Sequence, residues 1–141
     1  MTLEETNKAV VRRYIEEVIN QNKVEVIDEL FAPEMREQVR SYLPAGGPFP
    51  DAHEEIKDIV AEGNTVMVRW NFKATHLGTY LEIPATGKSI EMIGFAVYYL
   101  ENGQIVDDLM LMSNYGALKQ MGVTFTPSTL LPISRDVPDE A

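Results

Sequence analysis

The first third of the chain has apolar residues at the spacing of helices. In the first stretch, the residues that would share one helical face are Val11, Tyr14, Ile15 and Val18. Thr2 and Glu5 have the spacing of a capping box, in which each satisfies a free backbone N–H of the first turn. Two shorter stretches of the same kind follow at 27–31 and 35–43, separated by Pro33. The pattern therefore predicts three short helices.

The pattern changes after Thr65, where β-branched and aromatic residues form runs separated by turn signals. The runs are VMVRWNFKATH (66–76), IEMIGFAVYYL (90–100) and IVDDLMLMS (105–113). Helices followed by strands with short turns are typical of an α+β fold with an antiparallel sheet. A final helical stretch at 115–121 is expected to end at Gly122.

Two segments, 52–60 and 125–141, do not fit the clear helix and strand patterns of the rest of the chain. Residues 52–60 are ambiguous, because their apolar positions fit a helix better than the alternation of a strand. The segment 125–141 contains Pro127, Pro132 and Pro138, so an extended or mobile tail is expected there. The chain is therefore predicted to be one domain over residues 1–124, followed by a tail.

Composition narrows the class of protein. Twelve Lys and Arg against 22 Asp and Glu give a formal net charge of −10, which disfavours binding to nucleic acid or anionic membranes. No apolar run reaches the ~18–20 residues of a membrane span, and no secretory signal is visible. The absence of cysteine excludes disulfides and thiolate metal sites, and it fits a cytoplasmic protein.

Several stretches together resemble the SnoaL-like polyketide cyclases, which belong to the nuclear-transport-factor-two-like superfamily. They are PDAHEEIKDIVAEGNTVMVRW (50–70), THLGTYLEIPATGKSIEM (75–92), ENGQIV (101–106) and ALKQMG (117–122). Each element alone is weak, but the order THxG, PxTGK, an NG turn and QxG is fairly specific.

This resemblance implies a cone-shaped, curved antiparallel sheet wrapped around the N-terminal helices and enclosing an apolar cavity. It favours a strand at about 53–62 over the helix that the pattern alone suggests. It further implies chemistry without a metal or an organic cofactor. Similar proteins close rings of polyketide-derived substrates by aldol chemistry, hydroxylate, isomerise or only bind ligands, and many are dimers through the open sheet face.

The last strand departs from the family pattern G-K-I-V-x-x-W-x-x-x-D, whose Asp is the family's general acid/base. Aligned on Gly103, the Trp position falls on Leu109 and the Asp position on Ser113. A serine hydroxyl without an activating partner holds its proton near neutral pH, so it cannot replace a carboxylate as base. The usual aldol mechanism is therefore in doubt.

Strict alternation from Ser113 predicts which side chains of this strand face the cavity. Asp107, Leu109 and Leu111 would share the face of Ser113. Met110 and Met112 would lie on the opposite face and contribute to a homodimer interface. Strand 89–100 is apolar on both faces, so its second face also needs a cover, and a second copy of the chain is the simplest one.

The candidate site residues follow from these arguments, and each has a structural alternative. The catalytic candidates are Ser113, His53, Asp51 and Asp107. Asp51 would orient His53 for proton transfer, while the alternatives are a histidine bonded to backbone and a solvated Asp107. The substrate-binding candidates are Tyr14, Trp70, Phe72, His76, Leu109, Leu111 and Asn114; the alternatives are core packing for the aromatic residues and a turn-stabilising role for His76. With two histidines and no third ligand at metal spacing, no metal site is expected.

The expected function is a cofactor-independent enzyme of secondary metabolism that cyclises or rearranges an apolar, polyketide-like substrate. Without the usual acid/base, it would act largely by restricting the substrate's conformation. A hydroxylase or isomerase on the same scaffold fits nearly as well. The alternative from another class is a non-catalytic protein that binds small molecules, since a fold does not fix an activity.

Overall fold

The computed structural model describes residues 1–126 and has the predicted α+β architecture. The helical elements are α1 (Leu3–Arg13), a π-helical turn (Tyr14–Ile19), α2 (Ile27–Leu30), α3 (Arg36–Ser41) and α4 (Asn114–Gln120), with 3₁₀ turns at Val24–Val26, Pro33–Met35 and Pro44–Gly46. The strands are β1 (His53–Glu62), β2 (Thr65–Thr75), β3 (Ser89–Glu101) and β4 (Gln104–Met112). The three N-terminal helices and the final helix are confirmed.

Helix α1 begins with the predicted capping box. The Thr2 N–H donates to Glu5 Oε2 at 2.8 Å, and the Glu5 N–H donates to Thr2 Oγ1 at 3.1 Å. The apolar periodicity continues past Arg13, but the helix widens there into the π-helical turn. At its end, the Asn20 N–H reaches back five residues to the Ile15 carbonyl at 3.0 Å. The sequence pattern did not predict this widening.

The four strands form one antiparallel sheet in the order β1-β2-β3-β4, so β1 and β4 are the edge strands. Asn102 and Gly103 join β3 to β4 with φ values of 50° and 77°. Positive φ at both positions is the geometry of a type I′ turn, which Asn-Gly favours. Consecutive hairpins therefore build the sheet.

The two faces of the sheet have different surroundings. One face, here called the inner face, packs against the helices and holds the core. Its buried residues on β2 and β3 are Val66, Val68, Trp70, Phe72, Ala74, Ile90, Met92, Ala96, Tyr98 and Leu100. The other, called the outer face, leaves large apolar side chains exposed, namely Val60, Met67, Ile93, Phe95, Tyr99, Leu109 and Leu111.

A β-bulge in β1 explains why residues 52–60 resemble a helix. Ile56 pairs with Trp70 and Asp58 pairs with Arg69, so Lys57 is an extra residue without a partner. The bulge shifts the alternation by one, and both Ile56 and Ile59 face inward although they are three residues apart. That separation mimics helical spacing. The strand that the family resemblance favours is confirmed, and the helix is wrong.

A second bulge sets the faces of β4, and they are the opposite of the predicted ones. Leu100 pairs with Ile105 and Tyr99 pairs with Asp107, so Val106 is the extra residue. Residues opposite one another in a ladder share a face, and the following pairs are Tyr98–Asp108, Ala96–Met110 and Gly94–Met112. The structure thus places Asp108, Met110 and Met112 on the inner face, and Asp107, Leu109 and Leu111 on the outer face. The prediction of the opposite arrangement was wrong.

Two expectations concern membranes and the C-terminal segment. Within residues 1–126, no helix is long and apolar enough to cross a membrane. The predicted tail at 125–141 lies almost entirely outside the described residues. The enclosed apolar cavity stays a prediction.

Candidate functional site

Two buried tyrosines meet on the inner face. Tyr14, the first residue of the π-helical turn, lies against Tyr98 of β3 with ring centroids 6.0 Å apart, and against Phe31 at 4.9 Å. Both contacts are edge-to-face, the arrangement that aromatic quadrupoles favour. Burial, followed by the nearby carboxylates of Glu54 and Asp108, raises the pKa of both phenols above the ordinary value. Their hydroxyl groups therefore remain proton donors at neutral pH.

Glu54 projects from β1 into the same region. It pairs with the buried Phe72 and is itself half-buried, whereas the flanking His53 and Glu55 are exposed on the outer face. Burial raises the pKa of the Glu54 carboxyl from 4.5 to about 7, because a charged carboxylate loses hydration there. Near neutral pH, the carboxyl group is therefore populated in both protonation states.

Asp108 brings a second carboxyl group to the inner face. It lies opposite Tyr98 in the β3–β4 ladder and is half-buried. Burial raises the pKa of Asp108, and the neighbouring negative charge of Asp107 adds to the effect. The bulge at Val106 is what turns Asp108 inward and Asp107 outward.

Together, Tyr14, Glu54, Tyr98 and Asp108 form what is here called the inner cluster. The charges of both carboxylates act on both phenols, so each phenol lies within electrostatic range of Glu54 and Asp108. A carboxyl group that titrates near pH 7 can take up and return a proton, and a buried phenol can donate a hydrogen bond to a developing oxyanion. The cluster thus contains the parts of a general acid/base site.

A second polar group lies farther along the inner face, around the ring of Phe49. His76 is fully buried there, and its Nδ1 accepts a hydrogen bond from the Thr86 N–H at 3.3 Å and contacts Thr86 Oγ1 at 2.9 Å. The other ring nitrogen, Nε2, is buried and has no hydrogen-bond partner among residues 1–126. Tyr80 also packs on Phe49 and donates to Asn114 Oδ1 at 2.5 Å.

Trp70 occupies the middle of the inner face, directly over Gly94 of β3. A Cβ atom at Gly94 would lie 2.1 Å from Trp70 Cε2, so only glycine admits the indole in this position. The indole Nε1 is buried and, like His76 Nε2, has no partner within residues 1–126. The predicted substrate-binding residues Tyr14, Trp70, Phe72 and His76 are therefore on the inner face, with Asn114 beside Tyr80. Their binding role stays a prediction.

Three of the predicted catalytic residues come together elsewhere. Asp51, His53 and Ser113 line an open groove of about 810 Å³ on the outer face. Asp51 does not orient His53; its carboxylate accepts hydrogen bonds from the Thr75 N–H at 2.8 Å and the Thr75 hydroxyl at 2.7 Å. These bonds lower the pKa of Asp51, so it stays ionised and is a weak base.

Ser113 has a structural partner in this structure. Its Oγ accepts a hydrogen bond from the Ile93 N–H at 2.8 Å, and its N–H donates to the Ile93 carbonyl at 3.0 Å. β4 ends at Met112, so Ser113 continues the ladder beside β3. The prediction that Ser113 faces the cavity was wrong, because its side chain lines the outer groove and bonds the backbone of Ile93.

The other β4 candidates lie on the outer face as well. Asp107 is exposed, and its Oδ1 accepts from the Asp108 N–H at 2.9 Å. Leu109 and Leu111 are exposed beside Met67 and Phe95, where they line a shallow apolar recess of about 230 Å³. A substrate on the inner face would therefore not contact these three residues.

Sequence reasoning missed Glu54 and Asp108. Each is a charged residue in a strand, and its inward direction depends on the phase of the alternation, which the bulges at Lys57 and Val106 obscure. The signal for Glu54 was present, because it alternates with Ile56 on one face of β1. Within residues 1–126, no group of three or more His, Asp or Glu side chains could hold a metal ion.

The sequence model of the SnoaL-like polyketide cyclase family matches residues 9–121. The chain belongs to this family. No curated protein is similar enough in sequence to match.

Solved structures share the SnoaL-like fold. A candidate polyketide cyclase from Acidithiobacillus ferrooxidans is 23% identical with a TM-score of 0.73, over 86% of this chain and 98% of its own. A candidate SnoaL-like polyketide cyclase from Jannaschia is 15% identical with a TM-score of 0.79, over 89% and 97%. AclR, a candidate hydroxylase from Streptomyces galilaeus, is 20% identical with a TM-score of 0.72, over 94% and 92%. At these identities the likeness shows the fold alone.

Proposed function

We propose that this SnoaL-like protein is a cofactor-independent enzyme of secondary metabolism that cyclises or rearranges an apolar, polyketide-like molecule on the inner face of its sheet. The observation that carries the proposal is the position of Glu54. Its side chain is half-buried on the inner face, its charge acts on the buried phenols of Tyr14 and Tyr98, and its pKa of about 7 suits proton transfer in both directions at neutral pH.

The reaction can be written with these groups alone. The Glu54 carboxylate removes a proton from a carbon next to a carbonyl, and the C–H electron pair moves to give an enolate. Hydrogen bonds from the hydroxyls of Tyr14 and Tyr98 stabilise the enolate oxygen. The enolate carbon attacks a second carbonyl of the same molecule, which forms the ring's C–C bond. The resulting alkoxide takes back the proton from Glu54, so no electrons are gained or lost overall.

The same proton transfer also serves an isomerase, in which the enolate is reprotonated at another carbon. Asp108 lies on the same inner face, opposite Tyr98, where burial raises its pKa. Both reactions share the first step. Proton abstraction is therefore the step to test, and it needs no knowledge of the natural substrate.

We propose further that the protein is a homodimer through the outer face. The exposed apolar side chains of that face, including Phe95, Leu109 and Leu111, need a cover. Met110 and Met112 take no part in this interface, because they lie on the inner face.

The experiment measures hydrogen–deuterium exchange at the α-carbon of 2-tetralone, an apolar ketone, in D₂O by NMR. We expect the protein to accelerate exchange over buffer, with a rate that rises as Glu54 loses its proton near neutral pH. Glu54→Gln should reduce the acceleration at least ~100-fold, the usual contribution of a general base. Glu55→Gln is the matched control: the neighbouring carboxylate is exposed on the outer face and should be dispensable.

A non-catalytic binding protein is the second candidate, favoured by the structural role of Ser113 at the family's Asp position. It predicts that 2-tetralone binds, as a chemical-shift titration would show, while exchange stays at the buffer rate in wild type. Equal acceleration by wild type and Glu54→Gln would instead reject Glu54 as the base.

A further inference from the structure

Asn20 forms an unusual pair of contacts with the backbone of Glu54. Its Nδ2 donates to the Glu54 carbonyl at 2.8 Å, and its Oδ1 accepts from the Glu54 N–H at 2.8 Å. β1 is an edge strand, so these backbone groups would otherwise face away from the sheet without a neighbouring strand. The amide of Asn20 takes the place of that missing strand at one residue.

The two hydrogen bonds between the Asn20 amide and the Glu54 backbone are here called the clamp, and the π-helical turn positions it. Tyr14 begins this turn and Asn20 directly follows it, with the Asn20 N–H bonded to the Ile15 carbonyl at 3.0 Å. A π turn inserts one residue relative to an α-helix and is frequent at functional sites. Here, one short turn carries a phenol of the inner cluster at its start and the clamp on the Glu54 backbone at its end.

We infer that Asn20 is a positioning residue, which, with the π-helical turn before it, fixes Glu54 in the register that turns its side chain to the inner face, where Tyr14 lies. This inference rests on the proposed role of Glu54 as acid/base. Asn20 would act through the backbone of Glu54 and would not itself contact the substrate.

The groups around the Glu54 carboxyl show that the clamp acts on the proton affinity of Glu54. The titratable groups around it are Tyr14 on the π-helical turn, Tyr98 on β3 and Asp108 on β4, with Tyr42 at the end of α3 next to Tyr14. None is a cation, so burial is what sets the proton affinity of Glu54. If the edge of β1 is released, the carboxyl group can reach water and regain its hydration.

The chain contains a matched control for this clamp. Gln120 of α4 forms the same pair of bonds with Glu91 of β3, accepting from its N–H at 2.7 Å and donating to its carbonyl at 2.8 Å. The Glu91 side chain, however, is exposed on the outer face. Removing either amide removes two backbone contacts, but only one of the two clamps holds a residue of the inner cluster.

The test compares Asn20→Ala with Gln120→Ala in the full chain, by NMR titration of ¹³C-labelled glutamate carboxyls. Glu54→Gln serves to assign the Glu54 signal. We expect Asn20→Ala to lower the pKa of Glu54 by at least one unit toward its ordinary value, and Gln120→Ala to leave it in place. In the 2-tetralone assay, the midpoint of the pH–rate profile should shift down by the same amount in Asn20→Ala alone.

An unchanged Glu54 titration in folded Asn20→Ala would overturn the inference and reduce Asn20 to a stabilising contact. An equal shift in both variants would also overturn it. If Asn20→Ala does not fold, Asn20→Ser replaces it, because serine lacks the amide of the clamp and adds no charge beside Glu54; a Glu54 signal with the wild-type pH profile would then count against the clamp. The NMR titration needs no turnover, so it stands even if the exchange assay rejects the proposed enzyme.

Discussion

Glu54 and Glu55 are neighbours in the chain, yet they lie on opposite faces of β1 and in opposite electrostatic environments. Glu54 faces the helices, where burial raises its pKa to about 7. Glu55 faces outward, where a hydrogen bond from Lys57 Nζ at 2.8 Å lowers its pKa. The pKa of Glu54 is therefore close to neutral pH, whereas Glu55 is an ordinary ionised surface group.

The same contrast extends to the whole sheet. The outer face carries Asp51, His53, Asp107 and Ser113, which look like catalytic residues in the sequence, but they are exposed. The inner face carries Glu54 and Asp108, which are unremarkable in the sequence. A carboxyl group gains unusual proton affinity from its loss of hydration, and only the inner face removes water.

The largest effect expected from this contrast is on pH-dependent stability. The pKa of Glu54 rises from 4.5 in the unfolded chain to about 7 in the folded protein, so its favourable contribution is complete below pH 4.5 and is lost as pH rises through 7. At pH 8, Glu54→Gln should therefore raise the free energy of unfolding by at most about 3 kcal/mol.

Urea unfolding at pH 4 and pH 8 measures this difference. At pH 4 the gain from Glu54→Gln should vanish, because wild-type Glu54 is protonated in the folded protein. Glu55→Gln should show no such gain at either pH. A gain of equal size at both pH values would mean that the substitution acts through packing and not through the charge of Glu54.

The next largest effect is on dimerisation, and it should differ between the two faces of β4. Leu111 is 68% exposed on the outer face, so Leu111→Asp should weaken the proposed dimer at least ~30-fold, equivalent to about 2 kcal/mol. Met110→Asp, one position away on the inner face, should leave dimerisation unchanged. Sedimentation equilibrium distinguishes the two. Dissociation by Met110→Asp alone would contradict the outer-face interface.

The smallest effect concerns Ser113. Ser113→Ala removes the hydrogen bond to the Ile93 N–H, and the free energy of unfolding should fall by about 1 kcal/mol or less because the site is exposed. The rate of 2-tetralone exchange should not change. A large loss of exchange with intact stability would restore Ser113 as a candidate catalytic residue.

The sequence was informative where structure depends on neighbouring residues. The capping box of Thr2 and Glu5, the helical face around Tyr14 and the Asn102–Gly103 turn all follow from contacts within a few residues. The helix in place of β1 was wrong because of the bulge at Lys57, and the reversed β4 was wrong because Ser113, from which the alternation was counted, faces outward. A β-bulge changes the phase of a strand, and its position is set by pairing with a distant strand.

The sequence by itself determined the α+β class, the order of its helices and strands, and the family, because local periodicity and motif order are written along the chain. Only the tertiary structure decided which carboxyl groups are buried. That choice depends on the unpaired Lys57 and Val106, on the π-helical turn that brings Asn20 to β1, and on the packing that excludes water. A side chain's proton affinity is a property of its surroundings, and those surroundings come from residues far away in the sequence.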